Sequence, residues 1–382
     1  MVIGIDIRFL AEGKRTGVEE YALNLLHHLF RLYPDQVFKL FANFRHGSTA
    51  VLNELGAYPN VTVFRFRHPN KILNLSFKFG HRPFIDQMMG GCDVFFYPNI
   101  IFGAVSPACP VVTTFHDLSF KYHPEFLSFK KKAWHYLVNP RFCARRSSLI
   151  IAVSQFTKDD LVAQYHLPPG VIRVVPSGIN LPDASLVAQA KIVKNKYHLP
   201  DQFILFFGTT EPRKNVIGVI KAFEKCCVCG KIKTPLVIAG SAGWLENDWR
   251  QAVEDSRVSG SIRRIGFVEQ SDKLALFSLA DLLVFPSFYE GFGFPPLEAM
   301  SVGTPVITSA LSSLPEVVAD AALLIDPYNP AEIAAAIVKI QTDPMLRTTL
   351  IRRGWQRVQK FSWDKTAQGT FEVLAEAARR RP

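Results

Sequence analysis

The sequence predicts an α/β protein made of two doubly wound parallel sheets that face one another. Its 382 residues suggest two domains, at roughly 150 residues per domain. Short β-branched and aromatic runs alternate with helical stretches, the pattern of parallel strands covered by helices on both faces. These runs form two series with a turn-rich break between them, so each series is expected to fold as a separate domain.

Each predicted strand is a short apolar run followed by a stretch of helical periodicity. The front series is predicted at Val2–Ile7, Val37–Phe41, Val61–Phe66, Val94–Tyr97, Val111–Phe115, Leu149–Val153 and Ile172–Val175. The second series is predicted at Phe203–Phe207, Leu236–Ala239, Ile262–Ile265, Leu282–Phe285, Pro305–Thr308 and Leu323–Ile325. The turn residues Pro176 to Gly178 precede the Lys-rich helical stretch Lys191–Lys196, which places the domain boundary near residue 180. Ligands of such sheets bind at the carboxyl ends of the strands, here in the cleft between the domains.

Charge is distributed unevenly along the chain. Hydrophobic residues make up 48% and charged residues 20%, which is typical of a globular protein and excludes disorder and collagen-like structure. Residues 1–180 hold 20 basic and 12 acidic side chains, and so carry +8 of the formal net charge of +11. This asymmetry favours an anionic partner at the front domain, with nucleic acid, a membrane surface and a phosphorylated ligand all eligible. The first residues show no signal-peptide pattern, so a cytoplasmic location is expected.

The six cysteines show no disulfide-framework spacing, as expected for a reducing compartment. Cys226, Cys227 and Cys229 lie close together in the sequence, but a structural zinc site needs four ligands and no histidine follows His198. We therefore predict thiols in the core or at a helix end, and no metal site.

The segment 285–308 is the most informative part of the sequence. A predicted strand ends at Phe285, a glycine-containing loop follows, and a helix is expected to begin near Pro295, since proline is tolerated in a first helical turn. The amides of Gly291, Phe292, Gly293 and Phe294 and the positive end of this helix can receive a phosphate or a sugar hydroxyl.

Glu290 and Glu298 flank this loop. Each carboxylate can accept hydrogen bonds from vicinal sugar hydroxyls. For Glu298, stabilisation of the helix N-terminus by its charge, worth about 0.3–1 kcal/mol, is an equal alternative on the residues alone.

The stretch EGFGFPPLEAMSVGTPV, residues 290–306, resembles the signature of glycosyltransferase family 4. Members of that family are retaining nucleotide-sugar enzymes with the GT-B fold, two Rossmann-like domains around a central cleft. The resemblance implies that Glu290 binds hydroxyls of the donor sugar and that Glu298 binds the ribose. The ending FSWDKTA, residues 361–367, resembles the family's last helix, which implies a domain 181–363 and a helix 364–382 that returns to the first domain.

The segment GTTEPRKN, residues 208–215, resembles the family loop whose basic side chains hold the donor diphosphate. Lys214 corresponds to the phosphate lysine. Many members carry an arginine directly after the glycine, where this chain has Thr209, and Arg213 is the nearest substitute for that charge.

Three further segments carry the resemblance. The segment TTFHDL, residues 113–118, resembles the family's His-Asp segment, in which the histidine lies near the transferred sugar. His116 corresponds to that histidine, although a lone histidine after a buried strand is more often structural. The loop from Gly13 to Gly17, which contains Arg15, resembles the loop that covers the diphosphate and the acceptor site. Phe267 and Val268 follow a strand whose end contacts the base in this family.

Together these assignments form one predicted site. Catalytic roles are predicted for His116, Arg213, Lys214 and Glu290. Donor-binding roles are predicted for Gly17, Gly208, Thr209, Phe267, Val268, Gly291, Phe292, Gly293, Phe294 and Glu298. Positive charge already in place lowers the barrier as the diphosphate leaves. We predict a reaction without a metal or other cofactor, since side chains and helix ends neutralise the leaving group and the chain has no Asp-X-Asp triplet.

Two front-domain stretches bear on the acceptor. Residues 55–85 and 126–158 contain basic and aromatic side chains and no acidic residue. Both resemble surfaces that bind anionic lipid, and a solvated basic face over core aromatics is the alternative. No nucleic-acid-binding motif accompanies the charge, so we expect no nucleic-acid partner. These stretches suggest a peripheral location on the inner membrane leaflet.

The sequence thus predicts a retaining hexosyltransferase that acts on a saccharide or lipid-linked acceptor in polysaccharide or glycolipid synthesis. The segments around Lys214 and His116 resemble the mannosyltransferase-like branch most, which favours GDP-mannose as the donor. A sugar-nucleotide epimerase of similar fold and a catalytically silent sugar-nucleotide-binding subunit stay open as alternatives. A dehydrogenase is disfavoured because no Gly-X-Gly-X-X-Gly follows the first strand.

Overall fold

The computed structural model describes residues 1–12, 17–43, 50–241, 243 and 246–380. The chain divides into two compact units. Unit 1 comprises Met1–Gly178 and Ser362–Pro382, and unit 2 comprises Ile179–Phe361. Each unit contains one parallel sheet with helices, which confirms the predicted α/β class with two doubly wound sheets.

The sheet of unit 1 has seven parallel strands in the order β3-β2-β1-β4-β5-β6-β7. Their bounds are β1 Val2–Asp6, β2 Val37–Asn43, β3 Val61–Phe66, β4 Val94–Tyr97, β5 Val111–Phe115, β6 Leu149–Ala152 and β7 Ile172–Val174. The central strands β4, β5 and β6 are buried along their whole length. Strands covered on both faces are built from continuous apolar runs, which is why the sequence pattern located them.

In the described part of unit 1 the first eight helices are α1 Gly17–Leu32, α2 Ala50–Leu55, α3 Asn70–Leu75, α4 Ile85–Met88, α5 Ser119–Tyr122, α6 Phe129–Val138, α7 Pro140–Arg146 and α8 Gln155–Tyr165. A π turn spans Ser76–Gly80, and short 3-10 helices span Arg8–Glu12, Pro124–Phe126 and Pro169–Val171. Ser154 begins α8 because its Oγ accepts a hydrogen bond from the Thr157 amide at 3.0 Å.

The sheet of unit 2 has six parallel strands in the order β10-β9-β8-β11-β12-β13. Their bounds are β8 Ile204–Phe207, β9 Leu236–Ala239, β10 Ile262–Gly266, β11 Leu282–Phe285, β12 Val306–Ser309 and β13 Leu323–Ile325. Every strand predicted from the sequence is therefore confirmed, with ends that differ by at most two residues. The order reverses between β8 and β11, so the loops after these two strands lie side by side.

Among the residues of unit 2 that the structure describes there are eight helices: α9 Leu186–Lys196, α10 Val216–Val228, α11 Glu246–Glu254, α12 Lys273–Leu279, α13 Phe294–Ser301, α14 Leu314–Val318, α15 Pro330–Thr342 and α16 Pro344–Val358. Short 3-10 helices span Pro212–Lys214, Ser259–Ser261 and Gln270–Asp272. Two helices begin with a cap followed by proline, Asn329-Pro330 and Asp343-Pro344, an arrangement that satisfies the first-turn amides. Phe206, Phe223 and their apolar neighbours form the core between sheet and helices.

The last helix, α17 Trp363–Arg379, packs on α1 and on the central strands of unit 1. Ser362 begins it, with Oγ accepting from the Lys365 amide at 3.3 Å. The chain leaves unit 1 after Gly178 and returns at Ser362, and these two points touch: a Cβ at Gly178 would overlap the backbone of Trp363. Within the described ranges, no helix is both long and apolar enough to cross a membrane.

Candidate functional site

Three loops pack together at the carboxyl ends of β8, β9 and β10 in unit 2. The Gly240 amide donates to the Gly266 carbonyl oxygen at 2.7 Å. Gly240 has φ +138°, and a Cβ at this position would overlap the carbonyl of Gly208. The Gly243 amide donates to Thr210 Oγ1 at 3.1 Å. Glycine is required at position 240 because any side chain there would overlap the backbone of Gly208.

We expect Gly240→Ala to lower the free energy of unfolding by at least about 1–3 kcal/mol, the cost of a side chain in a strained backbone conformation. Overlap with Gly208 adds to this cost. Thermal or urea unfolding measures the change. Gly260→Ala is the matched control, because no atom lies within 4 Å of a Cβ at Gly260. Equal stability of the two variants would contradict the close packing.

The loops after β8 and β11 bring two cationic side chains to one carboxylate. Lys214 Nζ lies 2.6 Å from Glu290 Oε1, and Arg213 Nη1 lies 2.9 Å from Glu290 Oε2. Arg213 Nη1 also donates to the Tyr289 carbonyl at 2.6 Å, and its Nη2 lies 3.1 Å from Glu211 Oε1. All three charged side chains of the Arg213–Lys214–Glu290 cluster are at least four-fifths buried. The structure thus brings together three of the four predicted catalytic residues.

The local backbone fixes this cluster. Pro212 starts a single 3-10 turn that carries Arg213 and Lys214. Asn215 ends it in the left-handed region at φ +59°, and its Oδ1 caps α10 by accepting from the Gly218 amide at 3.2 Å. On the other side, Ser313 Oγ donates to the Glu290 carbonyl at 2.9 Å. The local backbone therefore holds these side chains in position.

Burial and ion pairing shift the pKa values of this cluster in opposite directions. Burial alone raises the pKa of Glu290, but the charges of Arg213 and Lys214 outweigh it and lower this pKa to about 2. Burial lowers the pKa of Lys214 below its usual value, against the opposing effect of Glu290. Glu290 is therefore ionised at neutral pH and holds two cations at the edge of the sheet.

A second buried ion pair lies in the same unit. Glu298, on α13, has Oε1 2.5 Å from Lys273 Nζ at the start of α12. Both side chains are less than a tenth exposed. Lys273 was not predicted as a site residue: a single lysine at a helix start next to Asp272 gives no sequence signal, and only the packing of α12 on α13 reveals it.

The glycine loop before α13 has the predicted form, with the helix starting at Phe294. Gly293 has φ +97°, and its Cβ would lie 2.6 Å from Leu314 Cδ2, so glycine is needed. Gly291 is buried beside it. The ring of Phe292 packs against Phe294, with centroids 5.3 Å apart, so these two side chains serve packing while their backbone follows the loop.

The remaining predicted residues of unit 2 lie on the neighbouring strand ends. Gly208 follows β8 with φ +146°. Thr209 is exposed, and Arg213 rather than Thr209 supplies the second cation beside Lys214. After β10, Phe267 is 63% exposed, whereas Val268 is buried.

His116 and Gly17 belong to unit 1. His116 follows β5, packs edge-to-face on Tyr21 with ring centroids 4.7 Å apart, and has Nε2 2.9 Å from the Pro98 carbonyl oxygen. A carbonyl only accepts, so Nε2 carries the hydrogen and the neutral ring has Nδ1 as acceptor. Burial lowers the pKa of His116. Gly17 is the exposed first residue of α1, and Arg15 lies outside the described residues.

In the described part of the chain, no group of three or more His, Cys, Asp or Glu side chains is arranged to hold a metal ion. Of the clustered cysteines, Cys226 is buried in the core of unit 2, where Sγ donates to the Ala334 carbonyl at 3.4 Å.

Two doubly wound units, each with one parallel sheet, are the architecture of the GT-B fold. Anabaena HepE, solved in complex with UDP and glucose, has the same fold, with a TM-score of 0.72 and 20% identity over 98% of this chain and 100% of that chain.

Comparison with known sequences gives the family. Residues 15–182 match glycosyltransferase family 4, and residues 188–357 match the glycosyl transferases group 1. O-antigen chain mannosyltransferase B of Escherichia coli is 35% identical over 271 residues, 69% of this chain and 69% of that protein. The serotype-specific mannosyltransferase WbdA of Escherichia coli is 32% identical over 227 residues, 58% of this chain but 28% of that longer protein. The chain belongs to glycosyltransferase family 4 and is a glycosyltransferase.

Proposed function

We propose that this glycosyltransferase moves a hexose, namely mannose from GDP-mannose, to a saccharide or lipid-linked acceptor with retention of anomeric configuration. The observation that carries the proposal is the convergence of Arg213 and Lys214 on Glu290 at the carboxyl ends of β8 and β11. The names of the two Escherichia coli relatives support mannose and O-antigen or related polysaccharide synthesis. The ligands named for HepE support a nucleotide-sugar donor.

The residues of the cluster have different roles in cleaving the bond between the sugar and the diphosphate of the donor. Lys214 and Arg213 neutralise the negative charge that grows on the leaving diphosphate, where preorganised cations lower the barrier most. Glu290 accepts hydrogen bonds from hydroxyls of the transferred sugar. The amides of the loop from Gly291 to Phe294 receive phosphate oxygens. The amide of Gly208 donates to the Ala239 carbonyl at 3.0 Å, so this glycine contributes by letting the diphosphate approach the backbone.

Glu298 accepts hydrogen bonds from the ribose. The ion pair with Lys273, whose Nζ lies 2.5 Å from Glu298 Oε1, restrains the carboxylate. Phe267, which is exposed after β10, lies against the base with Val268, while Thr209 borders the diphosphate.

The first unit supplies the remaining groups. His116, oriented by its hydrogen bond to the Pro98 carbonyl, contacts the transferred sugar, and Gly17, the first residue of α1, contributes to donor binding. The acceptor hydroxyl attacks on the face from which the diphosphate leaves and gives its proton to the departing phosphate oxygen. Side-chain cations perform the neutralisation in this scheme, so it needs no metal. We place the reaction in the cytoplasm, at the inner membrane leaflet, with no nucleic-acid partner.

Thermal unfolding with a panel of nucleotide sugars, in EDTA, tests the donor. We expect GDP-mannose to stabilise the protein and the other nucleotide sugars to do so less, because a ligand at 100 times its Kd adds about 2.7 kcal/mol to the folded state. Stabilisation by none of the panel would contradict the proposal. Proton NMR of the same mixtures, with and without an acceptor, separates the alternatives: an epimerase changes the sugar without an acceptor, and a silent subunit binds without any turnover.

A further inference from the structure

Two cysteines of unit 1 have their sulfur atoms in contact. Cys92 lies shortly before β4 and Cys109 shortly before β5, and both are present as thiols. Their Sγ atoms are 3.5 Å apart. Cys109 Sγ also donates to the Cys92 carbonyl oxygen at 3.8 Å. The cysteine spacing in the sequence does not indicate this pair, because the pair depends on which strands are neighbours in the sheet.

The fold brings the two cysteines to the same edge of the sheet. β4 and β5 are parallel neighbours, with Phe95 opposite Val111. Cys92 precedes Phe95 and Cys109 precedes Val111, each by a few residues. Both thiols therefore belong to the amino ends of these strands, whereas His116 follows the carboxyl end of β5.

One buried aspartate fixes the backbone on both sides of the pair. The Asp86 carbonyl oxygen accepts from the amide of Gly91, the residue before Cys92, at 2.7 Å. Asp86 Oδ1 accepts from the Ser106 amide at 2.8 Å, and its Oδ2 accepts from Ser106 Oγ. The Ser106 carbonyl in turn accepts from the Cys109 amide at 3.1 Å. The two thiols are thus held next to each other by the surrounding hydrogen bonds.

The surroundings leave room for a bond between the two sulfurs. A disulfide bond is about 2.05 Å long, so the sulfurs, now 3.5 Å apart, must approach by about 1.5 Å, which side-chain rotation can supply. A Cβ at Gly4 on β1 would lie 3.0 Å from Cys92 Sγ, so glycine at this position makes space for the sulfur. Cys92 is partly exposed and Cys109 is 8% exposed. An oxidant from solution therefore reaches Cys92 first.

We propose that Cys92 and Cys109 are a site of reversible oxidation, at which hydrogen peroxide or another hydroperoxide joins them in a disulfide. The Cys92 thiolate attacks one peroxide oxygen and breaks the O–O bond, which oxidises its sulfur to a sulfenic acid. The other oxygen leaves as hydroxide and becomes water with the proton lost by Cys92. Cys109 Sγ then attacks Cys92 Sγ, and the sulfenic oxygen leaves as water with the proton of Cys109. In sum, two thiols and one hydrogen peroxide give one disulfide and two water molecules.

Peptide mapping of the full chain tests the bond. The protein is treated with hydrogen peroxide, its remaining thiols are blocked with N-ethylmaleimide, and it is digested without reduction by a protease that cleaves before aspartate. This cleavage places Cys92 and Cys109 in separate peptides, 86–92 and 93–116. We expect the two peptides to be linked, with a mass two hydrogen atoms below their sum, and to separate after treatment with dithiothreitol. Absence of the linked pair, with Cys92 oxidised to sulfinic or sulfonic acid, would overturn the proposal.

Serine variants locate the bond. Cys92→Ser and Cys109→Ser should both lose the linked peptides. Cys143 is another partly exposed cysteine of unit 1, so Cys143→Ser is the matched control and should form the bond as the wild type does. If Cys109→Ser unfolds, Cys92→Ser alone carries the test, because its side chain is partly exposed. A bond from Cys92 or Cys109 to a third cysteine would overturn the assignment.

The bond should also stabilise unit 1. It closes the loop of residues 92–109, and a closed loop restricts the unfolded chain. We expect the melting temperature of unit 1 to rise by roughly 4–12 °C on oxidation and to return after treatment with dithiothreitol. Cys92→Ser should show no such rise. Equal melting temperatures of the cross-linked and the reduced wild type would overturn the stabilising role. These measurements use no nucleotide sugar, so their outcome is independent of the function proposed above.

Discussion

Replacement of Lys214 by alanine is expected to lower the rate of sugar transfer by about 10²–10³ while the protein stays folded. Lys214 Nζ is 2.6 Å from Glu290 Oε1 and 4.8 Å from the ring centroid of Phe285, in a site that excludes most water. A preorganised cation in such a site acts most strongly on the charge that develops as the diphosphate leaves. The turnover rate should therefore fall more than the affinity for the donor, which single-turnover kinetics and calorimetry measure separately.

Lys194→Ala is the matched control for this variant. Lys194 also pairs with a carboxylate in unit 2, with Nζ 2.5 Å from Asp201 Oδ1, but that pair is on the surface. Its removal should change neither rate nor stability by much, since exposed ion pairs contribute about 0–1 kcal/mol. Wild-type turnover by Lys214→Ala would refute the role of the lysine. An equal loss in both variants would show that the effect is not specific to the site.

The strands were predictable because they are buried on both faces. A strand such as Leu282–Phe285 must be apolar at every position, so it appears in the sequence as a continuous run between turn residues. The starts of α15 and α16 also follow a local pattern, because in each a cap residue precedes a proline in the first turn. Strand order and the contacts of one helix with another depend on the whole chain, and no local pattern carries them.

The site was predictable only as far as its groups follow strand ends. Glu290 and Lys214 each come soon after a strand, so their proximity follows from the order of β8 and β11. The sequence predicts the glutamate as a ligand of the sugar and the two cations as ligands of the diphosphate. In the structure the glutamate forms ion pairs with both cations. Lys273 contacts Glu298 because α12 packs on α13. The spacing of the two residues in the sequence does not predict this contact.

Replacement of Glu290 by alanine is expected to destabilise unit 2 by about 3–5 kcal/mol, because the buried cation Lys214 loses its carboxylate and lies beside Arg213, which keeps Glu211. For a unit of this size the melting temperature should fall by roughly 2–4 °C per kcal/mol. Calorimetric unfolding measures the loss. Transfer should also be lost, since the sugar hydroxyls lose their acceptor. Binding of GDP or UDP should be kept or strengthened, because the carboxylate no longer competes with the diphosphate for the two cations.

The pH dependence of the stability tests whether the ionised form of Glu290 causes this stabilisation. The pKa of Glu290 is lowered from 4.5 to about 2 on folding, so its stabilising contribution is complete above pH 4.5 and is lost as the pH falls towards 2. The difference in stability between the wild type and Glu290→Ala should shrink over this interval. Glu254→Ala, which removes an exposed carboxylate at the end of α11, should show no such convergence. A stability difference that is independent of pH would mean that Glu290 stabilises the loop by packing. Weaker binding of GDP and UDP by Glu290→Ala would mean that Arg213 and Lys214 do not bind the diphosphate.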